Sequence, residues 1–294
     1  MSKKFKDSIW FKVALLVVLA VVWILWLAPS GCNVKVGESA KGEVMELGTA
    51  KNVEISTKFN SIDVKVSSQV TEIVAAANGS GRSFDQVSTS RDGDTIRISI
   101  DTENNWWEFW KMGLKSRTLE VMIPSSMVLD NLTVKSVSGR VVVESVGADD
   151  SIDVSSVSGS VDADPLAAKN VTVASTSGGI DVASIKADKA SVVSISGSVE
   201  LGWFDGGSLT MSSTSGHVDL YDSGDFDSLD LRSVSGHIDA EVGCKSAPSV
   251  VASSTSGSVE INGEDYGSKV HLETAGPVVK AETSSGGIEI KFAR

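Results

Sequence analysis

The chain has 294 residues, enough for one or two domains with a sizeable core. Its 38 acidic and 26 basic residues leave a net charge of −12, which excludes the basic face needed to neutralise nucleic-acid phosphates and makes the body a poor match for anionic lipid headgroups. Two cysteines, Cys32 and Cys244, exclude a disulfide framework and a thiolate zinc cluster, and three histidines leave little material for a metal or triad site.

Residues 1–12 form a basic tail carrying Lys3, Lys4, Lys6 and Lys12, and residues 13–28 read VALLVVLAVVWILWLA without a charge. Together with Ile9, Trp10 and Phe11 this run approaches the ~20 apolar residues that cross a bilayer as a helix. Basic residues before an apolar span predict a cytoplasmic amino terminus, so the chain is expected at the cell membrane as a single-pass protein with its body outside. Ser30-Gly31-Cys32 resembles the end of a bacterial lipobox, although Pro29 stands where Leu is usual. Three fates therefore stay open: a retained signal anchor, a lipoprotein acylated at Cys32, or cleavage and secretion. Residues 29–43 are polar, contain Gly37 and Gly42, and read as a spacer.

Residues 44–124 alternate polar and apolar in VEISTKFNSIDVKVSS, TEIVAAANG, DTIRISID and RTLEVMIP, the period of a half-buried strand. This β-rich section is expected to cap the repeats that begin at residue 125, because an open solenoid end would pair with other chains. Within it, Trp106, Trp107, Phe109 and Trp110 crowd into one insertion. They read as a hydrophobic plug over the end, as an interfacial membrane contact, or as a protein-contact patch.

From residue 125 to 294 a Ser-Gly turn recurs, with glycines at 139, 159, 178, 197, 216, 236, 257, 276 and 286, mostly 19 to 21 residues apart and finally 10. A period near twenty marks a solenoid whose units bury their apolar sides against one another. Strands flank each turn: Val171 and Val173 alternate before Gly178, and Ile180 and Val182 after it. The expected fold is all-β, a parallel β-solenoid of ~20-residue repeats behind an N-terminal transmembrane helix. The turn glycine is expected to supply positive φ at a sharp corner.

Stacking the repeats generates columns. Val141, Val161, Ile180, Val199, Val218, Ile238, Val259, Val278 and Ile288 are assigned to the core. The serines just before the glycines, Ser138, Ser158, Ser177, Ser196, Ser215, Ser235, Ser256 and Ser285, are expected to bond along a polar rib. Asp162, Asp181, Glu200, Asp219, Asp239, Glu260 and Glu289 alternate outward. Like charges facing each other repel, so the first six are candidate ligands for a hard cation such as Ca²⁺, while the plainer reading is a solvated face that deters sideways pairing. His217 and His237 follow their glycines in adjacent repeats; zinc or a proton relay is one reading and two exposed imidazoles the plainer one.

The progression VEISTKFNSIDVKV, DTIRISI, LEVMIP and LDNLTVKSVSGRVVVESV, followed by Ser-x-Ser-Gly-x-Val/Ile-Asp/Glu units, resembles the DUF4097 family over roughly residues 44–294. That resemblance implies a parallel β-solenoid of the bacterial envelope, in a family labelled adhesin-like with some members tied to envelope-stress systems, and it supplies no catalytic residues. The acids form one monotonous column where glycoside hydrolysis needs a pair in distinct environments, and no Ser/His/Asp motif occurs. The expected function is a membrane-anchored, extracytoplasmic, non-catalytic binding, adhesin-like or scaffold module, without cofactor, meeting an envelope protein or surface ligand. A sensory accessory of the envelope is the alternative and a carbohydrate-active enzyme the weakest reading. End-to-end polymerisation through residues 288–292 is a further expectation.

Overall fold

A computed structural model of the chain describes residues 37–38, 44–79, 86–101, 117–243 and 246–292, which belong to one compact unit, Val36–Arg294. The described residues form strands and turns only, and nearly all the long pairings are parallel. The apolar span at 13–28, Cys32, Cys244 and the tryptophan-rich insertion lie outside the described residues.

One repeat shows how the sequence makes a coil. In Leu166–Ser175, Val171 and Val173 point inward and are buried, Thr172 is exposed, and Ser175 continues the inward alternation. The chain then turns through Gly178, and Ile180 and Val182 resume the buried set in Ile180–Ser194. A third inward position, Ile185, closes the coil before Ala190 and Val192 start the next pass. β-Branched residues suit this pleated, one-side-buried surface. Each fully buried Val or Ile contributes about 1.5–3 kcal/mol of apolar transfer. Stacking is in register at all three inward positions: Val171 with Ala190, Ile180 with Val199, and Leu166 with Ile185 and then Phe204.

The order of stacking departs from the order of sequence at both ends. Asn52–Thr57 is flanked by Thr95–Asp101 on one side and Leu129–Ser136 on the other, while Ser61–Ser67 lies between Arg117–Pro124 and Val141–Glu144. The first parallel coil in sequence is therefore second in space. At the far end, Val278–Thr283 sits between Ser228–Ser233 and Ser249–Ser254, and Ile288–Phe292 between Ile238–Val242 and Val259–Ile261. The last coil in sequence is an inner one. This corrects the expectation of growth through residues 288–292, because both edges of that strand already carry hydrogen-bonded neighbours.

Antiparallel strands close each end. Gln86–Asp92 covers Thr95–Asp101 and Val74–Gly79 covers Arg117–Pro124; Lys269–Leu272 covers Ser249–Ser254 and Glu264–Asp265 covers Val259–Ile261. At the first of these ends the chain also adds Gly37–Glu38 beside Gln86–Asp92 and Met45–Glu46 beside Val74–Gly79. Covered edges leave fewer unpaired backbone groups for another chain to extend.

The column at Val141 is buried as expected at eight of its nine positions, but Val278 is 45% exposed and Val279 carries the buried role. Gly276 is not at the common corner: a Cβ there would meet the carbonyl of Ala247, whereas Gly286 and Gly257 stack on the turn column. Val278 aligns instead with Ser228 and Ser249, at the start of the other wall. The short final spacing in the sequence arises because Gly276 and Gly286 occupy different corners.

Candidate functional site

The turn edge, the carboxylate column beside it and the two histidines form one continuous surface feature. The turn glycines do not owe their recurrence to positive φ, which among the expected set occurs only at Gly286. They are needed because the coils touch there. A Cβ on Gly159, Gly178, Gly197, Gly216 or Gly236 would lie 1.9–2.2 Å from the carbonyl oxygen of the preceding turn glycine, closer than any side chain can approach. Asn60 occupies this corner in the first coil, and Gly139 stacks on its carbonyl.

Hydrogen bonds at this corner run through a different serine from the one expected. Ser138, Ser158, Ser177, Ser196, Ser215, Ser235, Ser256 and Ser285 are all exposed. The serines two positions earlier, Ser136, Ser156, Ser175, Ser194, Ser213 and Ser233, are buried, and each accepts the N–H of its own turn glycine at 2.8–3.0 Å. Ser194, Ser213, Ser233, Ser254 and Thr283 also donate to the turn-glycine carbonyl of the coil beneath, at 2.8–3.1 Å. The inward alternation of Leu132, Val134 and Ser136 marks these residues in the sequence. The buried hydroxyls satisfy backbone groups that the tight corner would otherwise strand from water.

The carboxylate column is continuous through the register. Asp162, Asp181, Glu200, Asp219 and Asp239 stand on successive strands, and Glu289, then Glu260, complete the row, with Asp265 opposite Glu260. Adjacent positions are separated by the ~4.8 Å between strands. Several partners, unmarked in the sequence, offset this crowding. Arg140 Nε lies 2.6 Å from Asp162, Lys291 Nζ lies 2.6 Å from Glu289, and the Tyr221 hydroxyl donates to Glu200 at 3.4 Å. Burial, reinforced by Asp239 and Glu200, holds the Asp219 carboxyl above the usual carboxylate range, while His217 and His237 pull the other way. Glu200 in turn pushes the Tyr221 phenol up.

His217 and His237 do stack, with ring centroids 5.5 Å apart and planes 10° from parallel. The N–H of His237 donates to Nδ1 of His217 at 3.4 Å, and the N–H of Gly287 to Nδ1 of His237 at 3.0 Å. Both Nδ1 atoms are thereby acceptors toward the next coil, leaving Nε2 as the free ring nitrogen. His271 is elsewhere, on a capping strand, with Nε2 3.2 Å from Glu273. Among the described residues no group of three or more His, Cys, Asp or Glu side chains is arranged to hold a metal ion. With one carboxylate per strand, Asp162, Asp181, Glu200, Asp219, Asp239 and Glu260 form a row along the stack and not a cage.

Trp106, Trp107, Phe109 and Trp110 fall outside the described residues, but the strands on either side of them are placed. Thr95–Asp101 and Arg117–Pro124 are the outermost parallel strands at the end that Gly37–Glu38 and Met45–Glu46 join.

Comparison with known proteins places this arrangement in company. The family model described as Toastrack DUF4097 matches residues 50–291. A protein of Parabacteroides distasonis ATCC 8503, provisionally assigned as lipid-binding, superposes with a TM-score of 0.51 at 14% identity, covering 86% of this chain and 96% of its own. A protein of Parabacteroides merdae ATCC 43184, provisionally assigned as an adhesin, gives a TM-score of 0.50 at 9% identity, covering 88% and 97%. At these identities the likeness is one of fold. No curated protein matches the chain in sequence.

Proposed function

We propose a function from one premise: the chain belongs to the Toastrack DUF4097 family. It is a non-catalytic binding module, and we read it as an adhesin-like or scaffold protein of the cell envelope, tethered through residues 13–28 with its body outside the membrane. Its acids repeat in one environment along a straight row, without the paired, differently tuned groups that acid–base chemistry uses.

One observation carries the reading. The strands that come after the apolar segment and the strands that flank the tryptophan-rich insertion lie at the same end of the stack, so the chain before Gly37 is covalently joined to that end. An anchor at 13–28, or acyl chains on Cys32, would tether the body through this end of the stack. Trp106, Trp107, Phe109 and Trp110 would then be available to the membrane interface or to a membrane partner. The remaining coils would offer a repetitive wall to an envelope protein or surface ligand.

The test is crosslinking in intact cells and then capture, comparing the natural chain with one in which Trp106, Trp107 and Trp110 are replaced by Ser. Loss of a captured partner supports the insertion as the contact, and a membrane signalling protein among the captures would favour the sensory variant of this reading. An unchanged capture profile removes the insertion from the proposal. Recovery of the full-length chain in the soluble fraction, unlipidated and uncleaved, would remove the tether.

A further inference from the structure

The wall opposite in character to the carboxylate column has a different chemistry. On the strands that carry Val171 and Val173 inward, two outward rows run along the stack, next to a third that holds Asn170, Lys189 and Ser208 on the central strands. One row reads Thr133, Asp153, Thr172, Ser191, Thr210, Asp230, Lys280, and the other Lys135, Ser155, Ala174, Val193, Ser212, Arg232, Glu282. Across the three central strands both rows are uncharged, short and small: Thr172 and Ala174, Ser191 and Val193, Thr210 and Ser212. In a chain of net charge −12 this neutral strip is a departure from the rest of the surface. Its strands are all parallel and in register, so the rows run unbroken from strand to strand.

The charges that border the strip have a pattern of their own. On Ser228–Ser233 the pair is Asp230 and Arg232; on Val278–Thr283 it is Lys280 and Glu282, with the signs reversed. Each pair is bonded along its own strand, Arg232 Nε to Asp230 and Lys280 Nζ to Glu282 at 3.3 Å. At the other border Lys135 and Asp153 lie on neighbouring strands in opposite rows.

We propose that this wall is a homotypic interface, on which a second copy of the chain packs face to face about a two-fold axis parallel to the stack. Such an axis sets each strand against the same strand of the copy, running antiparallel, and exchanges the two rows. Asp230 then faces Arg232 of the copy and Lys280 faces Glu282, so every charged residue of these two strands meets an opposite sign. Ser191 faces Val193, and the small side chains permit the close approach of aligned sheets. A two-fold axis along the strands instead would oppose Asp153 to Asp230 and is disfavoured by like charge.

Seven strands at ~4.8 Å and about six residues at ~3.3 Å each, a width that takes in the row of Lys189, give a face of roughly 600–700 Å² per copy. Two such faces bury on the order of 1,300 Å², within the range of specific interfaces and near its lower end. The two middle rows offer no charge to pair with a charged ligand, Lys189 standing alone in the row beside them on the central strand, whereas a second copy meets both bordering pairs with opposite signs.

The experiment places a photocrosslinking amino acid at Val193 in the full-length chain, in its native membrane, with two differently tagged copies co-expressed. A second chain carries the same group at Asp181, on the carboxylate column. The expected result is a mixed-tag adduct of twice the chain mass from position 193 and at least a tenfold weaker one from 181. Lys280→Glu should reduce the adduct several-fold, and the double exchange Lys280→Glu with Glu282→Lys should restore it, since a two-fold axis that swaps rows is indifferent to which row holds which sign. Equal expression and protease resistance of the variants control for folding. No self-adduct from 193, adducts only to another protein or a glycan, or a loss that the double exchange fails to restore would each overturn the proposal.

Discussion

Gly216 sits on the carbonyl oxygen of Gly197, so closely that a Cβ on Gly216 would lie 2.2 Å from it. Gly147 lies on a neighbouring ladder with far more room, its nearest Cβ contact being the Ala167 carbonyl at 3.8 Å. Gly216→Ala must push two coils apart and is expected to cost on the order of 3 kcal/mol or more, as overpacking against an unyielding backbone does. Gly147→Ala should stay within about 0.5 kcal/mol of the natural protein. Urea unfolding of the two variants side by side measures the difference.

Two serines in one turn should respond differently. Ser213 accepts the Gly216 N–H and donates to the Gly197 carbonyl, and it is buried. Ser215 is exposed. Removing the Ser213 hydroxyl leaves the buried Gly216 N–H and the half-buried Gly197 carbonyl without this partner, so Ser213→Ala is expected to cost about 1–3 kcal/mol. Ser215→Ala should be close to neutral. Thermal melts of both variants decide; equal shifts would contradict the assignment of the rib to the buried serine.

Asp219 makes stability depend on pH. Its folded-state carboxyl is held above the ordinary carboxylate range by burial and by Asp239 and Glu200, so the folded chain binds its proton more tightly than the unfolded chain does. Stability contributed by this site therefore falls as pH rises from the ordinary aspartate value of about 3.9 through the raised folded value, and is lowest above it. Asp219→Asn is expected to stabilise at neutral pH, with the gain disappearing in acid. Asp153, raised chiefly by burial and pulled back by Lys135, has the same sign. Denaturant midpoints of the natural and substituted chains across that range would reveal any other slope.

Truncation separates order in space from order in sequence. Ending the chain after Pro277 removes Val278–Thr283 and Ile288–Phe292, on which Ser249–Ser254 and Val259–Ile261 rest. Those two strands should lose amide-exchange protection although they precede the cut, while Leu166–Ser175 and its neighbours keep theirs. A loss confined to residues beyond the cut would contradict the stacking order.

Much of the fold and of the carboxylate surface is legible in the sequence for a physical reason. A repeat that buries the same positions every turn repeats its residue types, so the core column from Val141 to Ile288 and the carboxylates from Asp162 to Glu260 align without any knowledge of the structure. Val278 is the exception because TAGPVV mimics the turn motif while Gly276 stacks on Ala247, at another corner. The turn glycines stand out by their spacing, but their cause does not: they answer to the carbonyl beneath them, which lies on another coil, and not to local φ. The end arrangements are out of reach because local pattern says nothing about pairings such as Ile238 with Ile288 or Asn52 with Asn131. The Arg140–Asp162 and Tyr221–Glu200 contacts likewise join residues on different coils.

The inner position of the last coil has a consequence for how the molecule comes into being. The central coils close contacts between residues roughly one repeat apart, but Asn52 reaches Asn131 across 79 residues and Gly287 reaches His237 across 50. Closing longer loops costs more chain entropy and delays the step that depends on it. Residues 249–261 leave the ribosome before the strands that will support them exist, and must wait, undocked, until Ile288–Phe292 arrives. At this end the expected last step is therefore the joint docking of residues 249–261 and 278–292 onto Ser228–Ser233 and Ile238–Val242. Until then the edge of Ser228–Ser233 stays open, because the strand that pairs with it, Val278–Thr283, is among the last to be made.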